Sequence, residues 1–186
     1  MMKILANLWV KNLRYRWSRL RHIMSPKETN VRPDLRPRAA VSVKRVAEKL
    51  IERFIYTPDG VTRLFDSIDN PAGAWERAWS PRFLRDDCDG FHAALYWAVH
   101  FHLPCYLLTI VTADIRKSHT LLCFEDSGLY YIDYTYMTAF ENIMEAVEHI
   151  KNRRNMGTVI TTEKSVWDKN MWKSKGCYSG SRRKRL

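Results

Sequence analysis

Asp86-Asp87-Cys88-Asp89-Gly90 stands immediately before an apolar segment in which Phe91, Ala94, Leu95, Ala98 and Val99 recur at helical spacing. The spacing predicts a buried helix with Cys88 at its mouth. Working outward, residues 105–112 form an apolar, β-branched run that suits a buried strand. Residues 119–124 and 129–134 predict two more strands, joined through the turn-forming cluster Glu125-Asp126-Ser127-Gly128. A tight turn there makes the pair antiparallel and sets Asp133 opposite His119 or within a residue or two of it, close enough to hydrogen-bond. Upstream, residues 42–54 read as an amphipathic helix. Downstream, residues 140–150 read as a helix presenting Ile143, Met144, Val147 and Ile150 on one face, and residues 157–162 as a short strand. The expected fold class is therefore α+β, with the Cys-bearing helix packed on an antiparallel β-sheet.

That order places three kinds of chemistry together. A helix N-terminus carries unpaired N–H groups and the positive end of the dipole, so a thiol there ionises more readily than a free one, whose pKa is about 8.5. His119 is expected to hold the Cys88 thiolate as an ion pair and to pass its proton to a leaving group, while Asp133 fixes the imidazole tautomer. The backbone N–H of Cys88 or of its neighbour is the natural oxyanion donor.

The strings Asp-Cys-Asp-Gly-Phe, Ser-His-Thr-Leu-Leu-Cys-Phe and Tyr-Tyr-Ile-Asp-Tyr-Thr, in that order, resemble the transglutaminase-like cysteine superfamily, above all its small bacterial cysteine-peptidase-like branch. The resemblance covers roughly residues 41–150. It implies a papain-like core and a thiol-dependent acyl-transfer enzyme, a peptidase or amidase working through Cys88, His119 and Asp133 on a peptide or amide substrate without a cofactor. Tyr56, Asp59, Trp75 and Trp79 fall where such proteins carry an aromatic, polar approach to the Cys helix. Trp75, Trp79, Tyr96 and Tyr134 line a cleft or fill the core, and the sequence leaves both open; Trp79, Asp87, Asp89 and Tyr134 are the substrate-facing candidates. Two residues depart from the family pattern: Asp87 replaces the usual Gly before the Cys, and Gly90 stands where a second acidic residue often follows. A carboxylate beside the thiol opposes its ionisation, so Asp87 must point away or find a cation. Because the superfamily also holds cross-linking enzymes and members without activity, transamidation and a non-catalytic binding module remain the alternatives.

Other candidate groups read more plainly. Cys105 and Cys123 lie inside apolar strands as core thiols, and Cys177 sits in a polar segment with no assigned role. His92 follows Cys88 by four residues and shares its helix face. No metal site is expected, because paired CxxC or HxxxH spacing is missing, and His100 and His102 near a helix end read as residues that complement the dipole.

A chain of 186 residues that is 46% hydrophobic and 12% aromatic has a globular composition. Its four cysteines show no disulfide framework, so a reducing, cytoplasmic setting is expected. No apolar run approaches the ~20 residues of a membrane span, and the N-terminus lacks the pattern of a signal peptide. The net charge of +11 belongs to the ends. Residues 1–27 hold seven Lys or Arg and no acid, residues 164–186 hold eight against Asp168, and the stretch between carries more acid than base. Within residues 1–24, Leu5, Trp9, Leu13, Trp17 and Leu20 form one stripe among cations, the pattern of a basic amphipathic helix that lies on an anionic membrane, on a partner or on its own domain. Residues 25–40, with Pro26, Pro33 and Pro37, read as a linker or an extended crossing, and residues 179–186, with Arg182-Arg183-Lys184-Arg185, as a disordered arm that meets the phosphates of nucleic acid or an anionic membrane surface, or simply solvates. The expected layout is a basic helix and linker over 1–40, a catalytic domain over 41–163 and a basic tail over 164–186. Nothing in the sequence indicates the oligomeric state.

Overall fold

The computed structural model describes residues 35–57, 68–81 and 83–179. The basic amphipathic helix, most of the proline-containing linker, Asp59 and the Arg-Arg-Lys-Arg arm lie outside the described residues.

Helix α1 (Ala40–Ile51) buries Val43, Val46, Ala47 and Leu50, a spacing that puts all four on one face. It stops short of the expected end, and Phe54 instead opens a short strand, β1 (Phe54–Tyr56). Helix α2 (Pro71–Trp79) starts where Asn70 caps it, its side chain accepting from the N–H groups of Ala72 and Gly73, with Pro71 in the first turn where no N–H is needed. Strand β2 (Leu84–Asp86) pairs in parallel with β1 and feeds the cysteine helix, α3 (Cys88–Val99). The predicted stripe of α3 is fully buried, and so is nearly every other residue of that helix.

The sheet then follows as β3 (Cys105–Thr112), β4 (His119–Glu125), β5 (Leu129–Asp133) and β6 (Tyr136–Phe140). Helix α4 (Ile143–Arg154) comes next, and β7 (Val159–Asp168) and β8 (Met171–Ser179) complete the described chain. Six strands lie in the order β6-β5-β4-β3-β7-β8, each antiparallel to its neighbour. Mixed helix and strand around one antiparallel sheet is the α+β class that the sequence predicted.

Helices cover both faces of this sheet. Leu107, Leu122, Phe124 and Ile132 join α1, α2 and α3 in one core, whereas Tyr106, Leu108, Leu121, Cys123 and Tyr131 pack with Ala146, Val147 and Ile150 of α4 in another. Adjacent strand residues point to opposite faces, so burial on both sides turns alternation into the continuous apolar runs seen at 105–112 and 119–124. β4 begins and β5 ends at one end of the sheet, which brings His119 and Asp133 there together.

Two expectations need correction. Phe140, expected to open the helix, instead ends strand β6, paired with β5, and α4 begins at Ile143 and runs on to Arg154. Residues 164–179 are not tail: β7 pairs with β3, β8 pairs with β7, and the folded unit passes 163. Lys169 and Asn170 join β7 to β8 with φ of 47° and 63°, the left-handed pair of a tight hairpin turn. Trp167 and Trp172 face each other across that hairpin, and Trp172 donates its Nε1–H to the carbonyl of Asp69 at 2.8 Å. At the end of α3, His100 meets the last carbonyls as expected, its Nδ1 lying 3.2 Å from that of Tyr96 and 2.9 Å from that of Trp97, and burial lowers its pKa. No helix among the described residues is long and apolar enough to cross a membrane.

Candidate active site

Cys88 is the first residue of α3 and is half-buried. Asp87, directly before the thiol, caps the helix: its Oδ1 accepts the N–H of Asp89 at 3.0 Å. Its carboxylate thereby meets the positive end of the helix dipole. The same bond engages the Asp89 amide and removes that neighbour from the expected oxyanion donors.

Gly90 has an equally local cause. A Cβ there would lie 2.2 Å from Cγ of Asp86, so the helix tolerates no side chain where that carboxyl packs. Asp86 accepts the N–H of Asp87 at 3.0 Å and shares a hydrogen bond with Asp69. Arg77 of α2 is ion-paired to Asp69 and lies 3.5 Å from Asp86. Burial, then the Asp69 hydrogen bond and charge, push Asp86 up to about 8, so this carboxyl keeps a proton at neutral pH.

At the sheet end, His119 and Asp133 are buried, 5% and 2% exposed, and His119 Nε2 lies 2.8 Å from Asp133 Oδ1. A carboxylate accepts only, so the proton sits on Nε2 and Nδ1 carries the lone pair. Two arginines at the end of α4 complete the cluster. Arg154 donates from Nε to Oδ2 at 2.7 Å and from Nη2 to Oδ1 at 2.6 Å, and Arg153 adds Nη1 to Oδ2 at 2.9 Å. Burial alone would raise the Asp133 pKa, but hydrogen bonds from His119 and Arg154 outweigh it and hold the carboxyl well below the usual range. Burial likewise lowers the His119 pKa, with the Asp133 bond opposing the shift.

His92 joins the two halves. Its Nδ1–H donates to the Cys88 carbonyl at 2.6 Å, and its Nε2 accepts the N–H of Tyr134, the residue after Asp133, at 3.1 Å. Complete burial pushes it down to about 3, as this neutral double role requires. Tyr134 turns the chain between β5 and β6 with φ of 54°, in the left-handed region, and its ring packs on Phe54, Phe91 and His92 and stands 6.2 Å from His119. The Arg154 guanidinium lies 5.5 Å from the same ring. Cys88 is close enough for its charge to raise the pKa of both Tyr134 and Arg154.

The structure therefore pairs His119 with Asp133, sets the Tyr134 ring beside them, and ties the Cys88 backbone to the same end of the sheet through His92. Asp89 is buried at 5% exposure, and Trp79 packs on Trp75 with ring centroids 5.3 Å apart, against the core. Sequence reasoning missed Arg153, Arg154 and the Asp69–Asp86–Arg77 cluster, and of His92 it saw only the spacing to Cys88. Asp86, Asp87 and Asp89 bring carboxylate oxygens within 4.8 Å of one another, but the first is protonated beside Asp69 and the second caps the helix. Among the other thiols, burial raises Cys105 and pushes Cys123 up to about 12, whereas Cys177 is exposed on β8. Compared with known proteins, the chain matches no family model and no curated protein.

Proposed function

We propose that the protein is a thiol-dependent acyl-transfer enzyme, a cysteine peptidase or amidase built on a papain-like, transglutaminase-like core. The observation that carries this reading is the buried His119–Asp133 hydrogen bond, with Nδ1 left as the basic nitrogen, together with a cysteine that opens a capped helix and is tied through His92 to the residue after Asp133. Cys88 gives its proton to His119 Nδ1 and attacks the carbonyl carbon of an amide. The new S–C bond forms a tetrahedral adduct, the C–N bond breaks, and the imidazolium protonates the departing amine. Water then attacks the thioester, His119 takes its proton, and the acid leaves as the thiol is restored. Asp133 keeps the ring in one tautomer throughout. A cytoplasmic setting and anionic surfaces for the basic ends belong to the same proposal.

The test is the rate of Cys88 alkylation by iodoacetamide against pH, read site by site by mass spectrometry so that exposed Cys177 is separated. The parent is expected to react well below the ~8.5 of a free thiol, and His119→Ala to lose that reactivity. A Cys88 that titrates like a free thiol in both proteins sinks the reading.

A further inference from the structure

His92 stands one helical turn after Cys88 and is fully buried. Side chains on a helix lean toward its N-terminus, so the imidazole lies back over the first turn of α3. Both ring nitrogens are used there. A carbonyl can only accept and a backbone N–H can only donate. The bonds to the Cys88 carbonyl at 2.6 Å and from the Tyr134 N–H at 3.1 Å therefore demand one tautomer, with the proton on Nδ1 and the lone pair on Nε2. A ring so engaged has no nitrogen left to take a proton from a thiol, which leaves the base role to His119.

The second bond falls on an unusual turn. Asp133 pairs with Tyr136, so Tyr134 and Thr135 form a two-residue loop between β5 and β6. Tyr134 takes its first position with φ of 54°, a conformation that hairpins ordinarily reserve for Gly. A residue with a bulky ring stays in that region only where its surroundings over-determine it. Here His92 holds the N–H, and Phe54, Phe91 and His92 pack the ring. The His92 ring also meets the His119 ring edge-on, with centroids 5.9 Å apart. One buried imidazole thus contacts the main chain of Cys88, the turn that follows Asp133 and the ring of His119.

Resting on the acyl-transfer reading, we propose that His92 is a positioning residue, a strut that sets the Cys88 end of α3 against the His119–Asp133 pair by bonding the Cys88 carbonyl on one side and the Tyr134 N–H on the other. It takes no part in proton transfer. Without the bridge, the start of the helix and the end of the strand shift independently, and His119 is no longer presented to the nucleophile in one geometry. Gln in its place can still offer an oxygen to Tyr134, whereas Leu fills the space and offers no polar atom.

The experiment is the site-resolved alkylation profile on the full chain for the parent, His92→Leu, His92→Gln, His119→Ala and the double variant His92→Leu/His119→Ala, with circular dichroism confirming each fold. His92→Leu is expected to raise the Cys88 midpoint by about half a pH unit or more, about threefold less thiolate at a fixed pH below it. His92→Gln should recover most of that loss. Because the strut acts through His119, adding His92→Leu to His119→Ala should move the midpoint no further, a coupling that general loosening of the fold would not produce. A low parent midpoint that His92→Leu leaves in place, a Gln variant no better than Leu, or a full extra shift in the double variant overturns the inference and leaves the acyl-transfer reading standing. A parent Cys88 that titrates like a free thiol overturns both. If His92→Leu fails to fold, His92→Gln decides: a midpoint displaced as far as in His119→Ala removes the strut.

Discussion

Among the described residues, two carboxyl groups ahead of Cys88, Asp69 and Asp86, share the Arg77 guanidinium; beside His119, one carboxylate, Asp133, is shared by two, Arg153 and Arg154. Both clusters are largely buried, and burial alone would raise the pKa of either acid. Their shifts nevertheless run in opposite directions, Asp86 up to about 8 and Asp133 below the ordinary range. Charge stoichiometry decides the sign: a carboxyl short of cations keeps its proton and acts as a neutral hydrogen-bonding group, whereas one with cations to spare stays ionised. Cys88 follows the carboxyl made neutral by protonation two residues later, and His92 links it to the end of β5, where positive charge is left over.

Removing the acid from the cation-rich side should have the largest effect. Asp133→Ala leaves two arginines and His119 without their common partner, a loss on the order of 3–5 kcal/mol when one member of a buried ion pair is deleted. Urea unfolding at pH 7 measures it, and a loss below about 1 kcal/mol would mean that solvent already screens the cluster. The parent's acid response follows from the same group. A carboxyl with a lowered folded-state pKa contributes stability that is present above its unfolded value of about 3.9 and lost as pH falls. His92, held neutral to about 3, adds a loss that begins as pH drops below about 6.5, where the unfolded chain takes up the proton.

The opposite cluster is tested sterically. In an ordinary helix interior Gly→Ala gains up to about 1 kcal/mol, but Gly90→Ala drives a methyl into the Asp86 carboxyl and should cost about 1–3 kcal/mol, the range for overpacking a filled site. Adding Asp86→Ala to Gly90→Ala should recover part of that loss. If the two changes are simply additive in a double-mutant cycle, Asp86 is not what excludes the side chain.

The charge on Asp86 gives a third, smaller effect with a defined sign. A carboxyl with a raised folded-state pKa contributes stability that is complete below its unfolded value near 3.9 and lost as pH rises through the folded value near 8. Asp86→Asn keeps the shape and a donor toward Asp69 but cannot ionise. The variant should gain on the parent between pH 6 and 9, by about 1–2 kcal/mol once screening is allowed for. Parallel stability curves over that range would show that Asp86 is already ionised at neutral pH.

How much of this was readable beforehand depended on whether the signal was local. The helix after Cys88 and the strands carrying His119 and Asp133 announce themselves through periodicity, and the pairing of those two residues follows from one turn. The β7–β8 hairpin escaped because charge was allowed to mark a boundary. Lys164, Lys169, Lys173 and Lys175 suggest a solvated tail, yet lysines are also what an edge hairpin carries to discourage further pairing, and Asp168-Lys169-Asn170 between Val166-Trp167 and Met171-Trp172 was the overlooked turn signal. The five residues of β6 are too few for a period to separate strand from helix. Arg153 and Arg154 look like any basic last turn, a role that suits the helix dipole by itself. Only the docking of α4 on the sheet brings them to Asp133, and no local pattern encodes that. Asp69 and Asp86 likewise meet through the packing of α2 on α3.

The smallest expected effect also divides the two clusters most finely. Arg153→Gln removes one of two guanidiniums from Asp133, and the bidentate grip of Arg154 remains, so the carboxylate keeps a cation and two strong bonds. What is lost is a single bond at 2.9 Å and a partly exposed stacking contact on Tyr136, together on the order of 1 kcal/mol or less. Arg77→Gln makes the same chemical change on the other side, where no second cation exists to take over among the described residues. It should cost more than Arg153→Gln although Arg77 is the more exposed of the two, 47% against 38%. It should also widen the stability gap between acid and alkaline pH, because Asp86 then ionises beside Asp69 without the Arg77 charge. Equal losses from the two substitutions would mean that exposure rather than stoichiometry sets the worth of each arginine, and the contrast between the clusters would reduce to a difference in burial.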